Sequence, residues 1–174
     1  MLSNFFFQIA NLKTLPRTGW KTKLQVSNSE SVADHCYMMT VMAMIISDIK
    51  NLNIEKTMKM SLLHDWAESK IGDFMPDEIT PDKKIILEEN AMKEILDMLP
   101  DKAKEDYYVI WKEYQDGASR ESKFVHELDK LEMALQAKIY EKDVDPEKIK
   151  PFMTSAIVQI QDDDLKKLFL DITQ

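Results

Sequence analysis

Cysteine appears once in this chain, as Cys36, and glycine only three times among 174 residues. A lone cysteine excludes an intramolecular disulfide framework and any cysteine-rich zinc site. With so few glycines and only six prolines, a turn-rich β sandwich or barrel is a poor fit. An uninterrupted hydrophobic run of membrane-spanning length is also missing. The longest lies within Cys36 to Ile46, about half of the ~20 residues a span needs, and it stops at Ser47-Asp48. Met1 to Leu12 carries Phe5-Phe6-Phe7 but has neither the basic flank nor the small-residue cleavage pattern of a secretion signal. Basic residues are outnumbered, 23 Lys+Arg against 31 Asp+Glu, for a net charge of −8. That balance argues against nucleic-acid polymers as partners, and any anionic substrate must be held by a local patch of cations. These absences imply a cytoplasmic protein with no membrane partner.

What is present favours helix. Apolar residues make up 44% and charged residues 31%, and the twelve methionines are good helix formers and gap fillers. The length suits one domain on a prior of roughly 150 residues per domain. Apolar residues recur at helical spacing nearly throughout. The pattern predicts helices over Leu2 to Leu12, from a Ser29 cap to about Lys50, and from an Asn53 cap to about Ser69. Lys13 to Asn28 reads as irregular. Thr80-Pro81 opens a further helix, Asp101 to Tyr114 forms the next with Gly117 as its stop, and Ser119 caps a long one to about Lys142. Asp145-Pro146 opens a short helix that Pro151 restarts at a new angle, and Asp162 or Asp163 caps the last. The expectation is an all-α, bundle-like single domain over 1–174, its C-terminal helices 145–174 completing the bundle.

The chemistry concentrates around three histidines, His35, His64 and His126. His64 is followed at once by Asp65 and one turn later by Glu68. Adjacent helical side chains diverge by about 100°, so such a pair can grip a metal over the helix edge while neighbouring helices complete the shell. Imidazole with carboxylate suits zinc, manganese, cobalt, nickel or iron. Taken singly, each histidine reads more readily as a structural one; together with the neighbouring carboxylates the balance shifts towards a metal site. Asp162-Asp163-Asp164 has no further ligand within reach and reads as a helix cap.

The ordered set His35, His64-Asp65, Asp129 resembles the HD-domain metal-dependent phosphohydrolase superfamily. The longer series is more specific: Arg17-Thr18-Gly19-Trp20, Glu30 to His35, His64-Asp65-Trp66-Ala67-Glu68, Ile71-Gly72-Asp73 and Phe124 to Met133. Together these resemble its 5′-deoxynucleotidase branch over roughly residues 5 to 140. The resemblance implies the HD-type helical fold and one divalent metal per chain (Mn, Co, Zn, Ni, Fe or Mg) held by His35, His64, Asp65 and Asp129. It also implies Glu68 and Asp73 as catalytic carboxylates, Arg17 and Trp20 as substrate contacts, a nucleotide substrate and a homodimer. The bacterial members have Arg and Trp adjacent, whereas two residues separate them here. His126 is not at a ligand position of the family.

The activity so implied is removal of phosphate from deoxyribonucleoside 5′-monophosphates. An indole from Trp20, in a loop over the site, stacks on any nucleotide and gives no partner to a 2′-hydroxyl. Two other readings stay open: a phosphohydrolase of another phosphoester, and a non-enzymatic helical module with a structural metal. Phe5-Phe6-Phe7 and the stripe Leu165, Leu168, Phe169 are candidate dimer surfaces or internal core.

Overall fold

The computed structural model describes residues 2–174, and among them the regular structure is helical. One isolated antiparallel bridge pairs Pro16 with Ser31. The helices are α1 (Leu2–Ala10, continued by a 3₁₀ turn over Asn11–Lys13), α2 (Thr18–Thr22), α3 (Val32–Lys50), α4 (Ile54–Leu63) and α5 (Glu68–Ile71). After a loop come α6 (Pro81–Leu96), α7 (Asp101–Asp116), α8 (Arg120–Tyr140), α9 (Pro146–Gln159) and α10 (Asp163–Thr173).

The starts follow local chemistry. Ser119, Asn53 and Asp162 each accept a backbone N–H from the first turn of the helix they precede. The cap of α3 is Ser31 rather than Ser29. Its hydroxyl accepts from the Asp34 N–H while the Asp34 carboxylate accepts from the Ser31 N–H, a reciprocal box. The chain before it is held extended, with Val32 N–H donating to the Leu15 carbonyl. The stretch expected to be irregular contains α2, a five-residue helix too short to stand alone. It survives because the Asp73 carboxylate accepts its first N–H, from Thr18, at 2.7 Å. Pro151 does not restart α9, which runs through it. The proline removes only the bond to the Glu147 carbonyl, and both residues are exposed, so water can serve that group.

At the centre, α3 forms a hairpin with α4, and α8 packs across both while carrying α9 and α10 on its other side. Met39, Ala43, Met60, Leu128, Leu131 and Ala134 meet there without solvent contact. By length and composition α3 could cross a membrane. Here one face of it, with His35, Met39 and Ala43, is fully buried in the bundle, while Tyr37, Ile45 and Ile49 on the other are exposed. Leu165 and Phe169 of α10 belong to this core, while Phe6 and Phe7 of α1 are exposed and Phe5 is buried.

Candidate active site

Three pieces of chain deliver the polar groups. His35 lies in the first turns of α3, and Asp129 on α8 faces it, with 3.3 Å between His35 Nε2 and Asp129 Oδ1. His64 and Asp65 come from the segment where α4 stops. The helix expected to continue to Ser69 breaks at His64, and the next bonds are of the tighter i to i+3 kind, Glu68 N–H to Asp65 and Ser69 N–H to Trp66. Three residues per turn bring Asp65 and Glu68 to one face, so Glu68 joins the cluster one tight turn beyond Asp65. Gly72 then adopts φ 86°, a left-handed conformation that favours glycine, and turns Asp73 towards α2.

The hydrogen bonds fix the tautomers. His64 Nδ1 lies 2.9 Å from the Ser61 carbonyl, which can only accept, so Nδ1 carries the proton. His35 Nδ1 donates to Glu132 at 2.5 Å. In the neutral form that binds a metal, each ring so held turns a lone pair on Nε2 into the site. Each lone pair meets a carboxylate oxygen: His64 Nε2 is 3.1 Å from Asp65 Oδ2, and His35 Nε2 faces Asp129 Oδ1. His35 Nε2, His64 Nε2, Asp65 Oδ2 and Glu68 Oε2 are buried without a hydrogen-bond partner. Converging acceptors of this kind are unfavourable unless a proton or a metal ion sits between them. The donor set, two imidazoles and two carboxylates beside a third carboxylate, fits a divalent transition metal. His35, His64 and Asp129 offer atoms all within 4.8 Å of one another, and Cys36, His64 and Asp65 do likewise.

Charges reinforce the arrangement. The Arg17 guanidinium stands 3.6 Å from Asp65 and 4.0 Å from Asp129, facing both. Its backbone N–H is fixed by the Glu30 carbonyl at 3.0 Å. Burial works against ionisation of Asp129, but Lys130 at 2.7 Å and His35 together hold its carboxyl well below the usual range. Burial, with Asp65 and Asp73 adding to it, pushes Glu68 well above the usual range. Against its own burial, His64 is pushed up by the Asp65 carboxylate.

These groups form part of the wall of a cavity of about 780 Å³, the size of a small-molecule site. Lys84 and Glu88 of α6 line one side and Phe152 of α9 another, with Phe74 and Met75 from the loop after α5. Arg17, His64, Asp65, Glu68, Asp73 and Asp129 all border it, while His35 lies behind, at 0% exposure. Asp73 Oδ2 is engaged by Thr18. Trp20 is on α2 rather than in a loop. It is 2% exposed, its indole N–H donates to Glu30 at 2.6 Å, and its ring packs on Tyr140 and Phe152. His126 bonds the Tyr114 carbonyl instead of joining the cluster. Sequence reasoning missed Glu132, 1% exposed and three residues beyond Asp129. Its spacing of three from Asp129 places both on one helix face, but nothing in the sequence marks it as buried.

Known proteins are similar to this chain. The HD domain family model matches residues 9–170. Human 5′-deoxynucleotidase HDDC2 is 44% identical over 141 residues, 80% of this chain and 68% of that protein. The 5′-deoxynucleotidase YGK1 of Saccharomyces cerevisiae is 33% identical over 162 residues, 90% of this chain and 74% of its own. A crystal structure of a Pyrococcus horikoshii OT3 protein superposes with a TM-score of 0.82 at 28% identity, covering 99% of this chain and 98% of that one.

Proposed function

The chain belongs to the HD domain family, and from that premise we propose that it is a metal-dependent 5′-deoxynucleotidase, releasing phosphate from deoxyribonucleoside 5′-monophosphates. The observation that carries this reading is the convergence of orphaned imidazole and carboxylate atoms beside the Arg17 guanidinium at the wall of a nucleotide-sized cavity. His35, His64, Asp65 and Asp129 are the residues that would hold the ion. A divalent ion there supplies positive charge to the phosphoryl oxygens and acidifies a water.

The chain's own groups do the rest. Arg17, planar and already poised over the site by its backbone bond, grips phosphate with two N–H groups. Glu68, buried and with a free oxygen beside the ligands, takes the proton of the attacking water or delivers one to the departing 5′-oxygen. Asp73 ties α2 to the loop after Gly72 through Thr18, which keeps Arg17 and Glu68 in register, and its other oxygen is available to the second proton transfer. A phosphate monoester is among the slowest esters to hydrolyse, so the large contribution is electrostatic preorganisation.

The test is phosphate release from dAMP, dGMP, dTMP and dCMP against AMP, GMP, UMP and CMP, after reconstitution with each candidate divalent metal. Faster release from the deoxy series supports the reading. No release from any of the eight with any metal ends it, and equal rates on the two series end the deoxyribose preference. A homodimer is part of the proposal. The exposed Phe6 and Phe7 support it, as do Tyr37, Ile45 and Ile49 along the outer face of α3. Light scattering that gives the mass of one chain at micromolar concentration overturns that part. The single buried Cys36 suits the reducing conditions of the cytoplasm.

A further inference from the structure

We infer that the surface against which the nucleoside half of the substrate packs is the ring of Phe152, and that Trp20 is its backing rather than a contact. The inference rests on the nucleotidase reading and deepens it, since it assigns the part of the site that receives sugar and base.

Trp20 borders the cavity but offers it almost no surface. It is 2% exposed, Phe152 covers it at a centroid distance of 4.6 Å with planes 37° apart, and Tyr140 meets it edge-on at 5.7 Å. Its N–H is committed to Glu30. Phe152 is only half-buried and lines the cavity. The indole therefore holds the phenyl ring in place, leaving Phe152 as the exposed face of this aromatic pair.

Its position is the decisive point. Gly19 is two residues beyond Arg17, and a Cβ built on Gly19 would have Phe152 and the Met75 sulfur as neighbours, each at 3.5 Å. The ring thus packs on the backbone of α2 two residues beyond Arg17, and Phe152 and Arg17 line the same cavity. A monophosphate held by Arg17 projects its sugar and base along this wall, over Phe152 and Met75. Further along α9, Gln159 Nε2 is turned back onto Ser155, donating to its Oγ at 2.8 Å. A ring face accepts every base alike, because each base has a π-face. The ligand class is a deoxyribonucleoside of any base, bound by stacking and apolar contact.

The experiment compares wild type with Phe152→Ala, Phe152→Leu and Trp20→Phe, in protein loaded with metal and checked for native helical circular dichroism. Two readouts are taken: steady-state kinetics on the four deoxynucleoside monophosphates, and calorimetric titration with deoxyadenosine, which contains no phosphate to hydrolyse. Base stacking losses on alanine substitution predict that Phe152→Ala raises KM about tenfold and weakens deoxyadenosine by about the same factor. Metal content and kcat stay unchanged, and the rise is similar for all four bases. Phe152→Leu, which keeps apolar volume but not the flat face, falls between, and Trp20→Phe changes KM less than Phe152→Ala. Wild-type KM and deoxyadenosine affinity in both Phe152 variants overturn the inference. So does a larger effect from Trp20→Phe than from Phe152→Ala. If wild type hydrolyses no nucleotide, the nucleotidase reading fails on its own. The deoxyadenosine titration then still decides the ring, since absent wild-type binding, or binding indifferent to Phe152, overturns it.

Discussion

Two histidines flank the ring of Tyr114 and end in opposite electrostatic situations. His64 meets it edge-on at 5.5 Å, while His126 stacks on it at 4.1 Å with planes 20° apart. Both rings bond a backbone carbonyl at 2.9 Å, His64 through Nδ1 to Ser61 and His126 through Nε2 to Tyr114. The difference is what the other side of each ring meets. With its ring neutral, His64 Nε2 is buried lone pair to lone pair against a carboxylate oxygen, a position that a proton or a metal ion relieves. His126 is only partly buried, so its remaining nitrogen carries no comparable debt. The number of bonds a histidine makes does not mark it as a ligand. What marks it is a second nitrogen that the protein alone leaves in an unfavourable position.

The sharpest way to break this contrast is to remove the incomplete ring. His64→Ala should abolish metal retention and, with it, phosphate release, a loss of roughly 10³-fold or more, since the ion supplies several kcal/mol of transition-state stabilisation. Metal content by mass spectrometry and phosphate release are the two readouts. Full metal occupancy in this variant would contradict the tautomer argument.

Next in size is Glu68→Gln. The side chain keeps its shape, so the metal should stay, while kcat falls about 10²- to 10⁴-fold because a proton carrier is lost. Near-normal turnover removes Glu68 from the chemistry. A smaller effect is expected one layer out. Glu132→Ala leaves His35 without the acceptor that fixes its tautomer, and metal affinity should drop about 10- to 100-fold. Glu132→Gln should recover part of that loss, because its amide oxygen can still accept the His35 Nδ1–H. Equal metal affinity in wild type and Glu132→Ala would make Glu132 a packing residue only.

Glu132 also shows where the sequence was hard to read. His35, His64-Asp65 and Asp129 stand out because they recur in a fixed order within recognisable stretches. Glu132 lies on a helix with many charged residues, and only the three-dimensional crossing of α3 and α8 reveals that this one is buried. Caps made by one short side chain, such as Asn53 and Asp162, were legible because the bond is local. The start of α3 slipped by two residues because the bridge between Pro16 and Ser31 extends the chain up to Ser31. The helix α2 was invisible because its stability comes from Asp73, far along the chain. The orientation of Trp20 was equally non-local: nothing near Arg17 in sequence announces that Phe152 and Tyr140 will enclose it.

The smallest effect belongs to the complete ring. His126→Ala should leave metal content and turnover as in wild type, because nothing in its environment calls for a cation. It should still cost stability. The variant loses one hydrogen bond to a backbone carbonyl, about 1 kcal/mol, and a stacked aromatic contact, about 0.5–1.5 kcal/mol. The Tyr114 carbonyl lies in the last turn of α7 and also accepts the Gly117 N–H at 3.1 Å, so it is not orphaned when the imidazole goes. That retained bond keeps the expected cost near the sum of the two, about 1.5–2.5 kcal/mol, a fall of about 3–10 °C in Tm for a chain of this size. Thermal unfolding with and without added metal separates the two histidines. His126→Ala should melt lower than wild type yet gain as many degrees from metal as wild type does, whereas His64→Ala should gain none. If metal fails to raise the Tm of His126→Ala, then His126 acts on the ion after all, and the distinction between complete and incomplete rings does not hold.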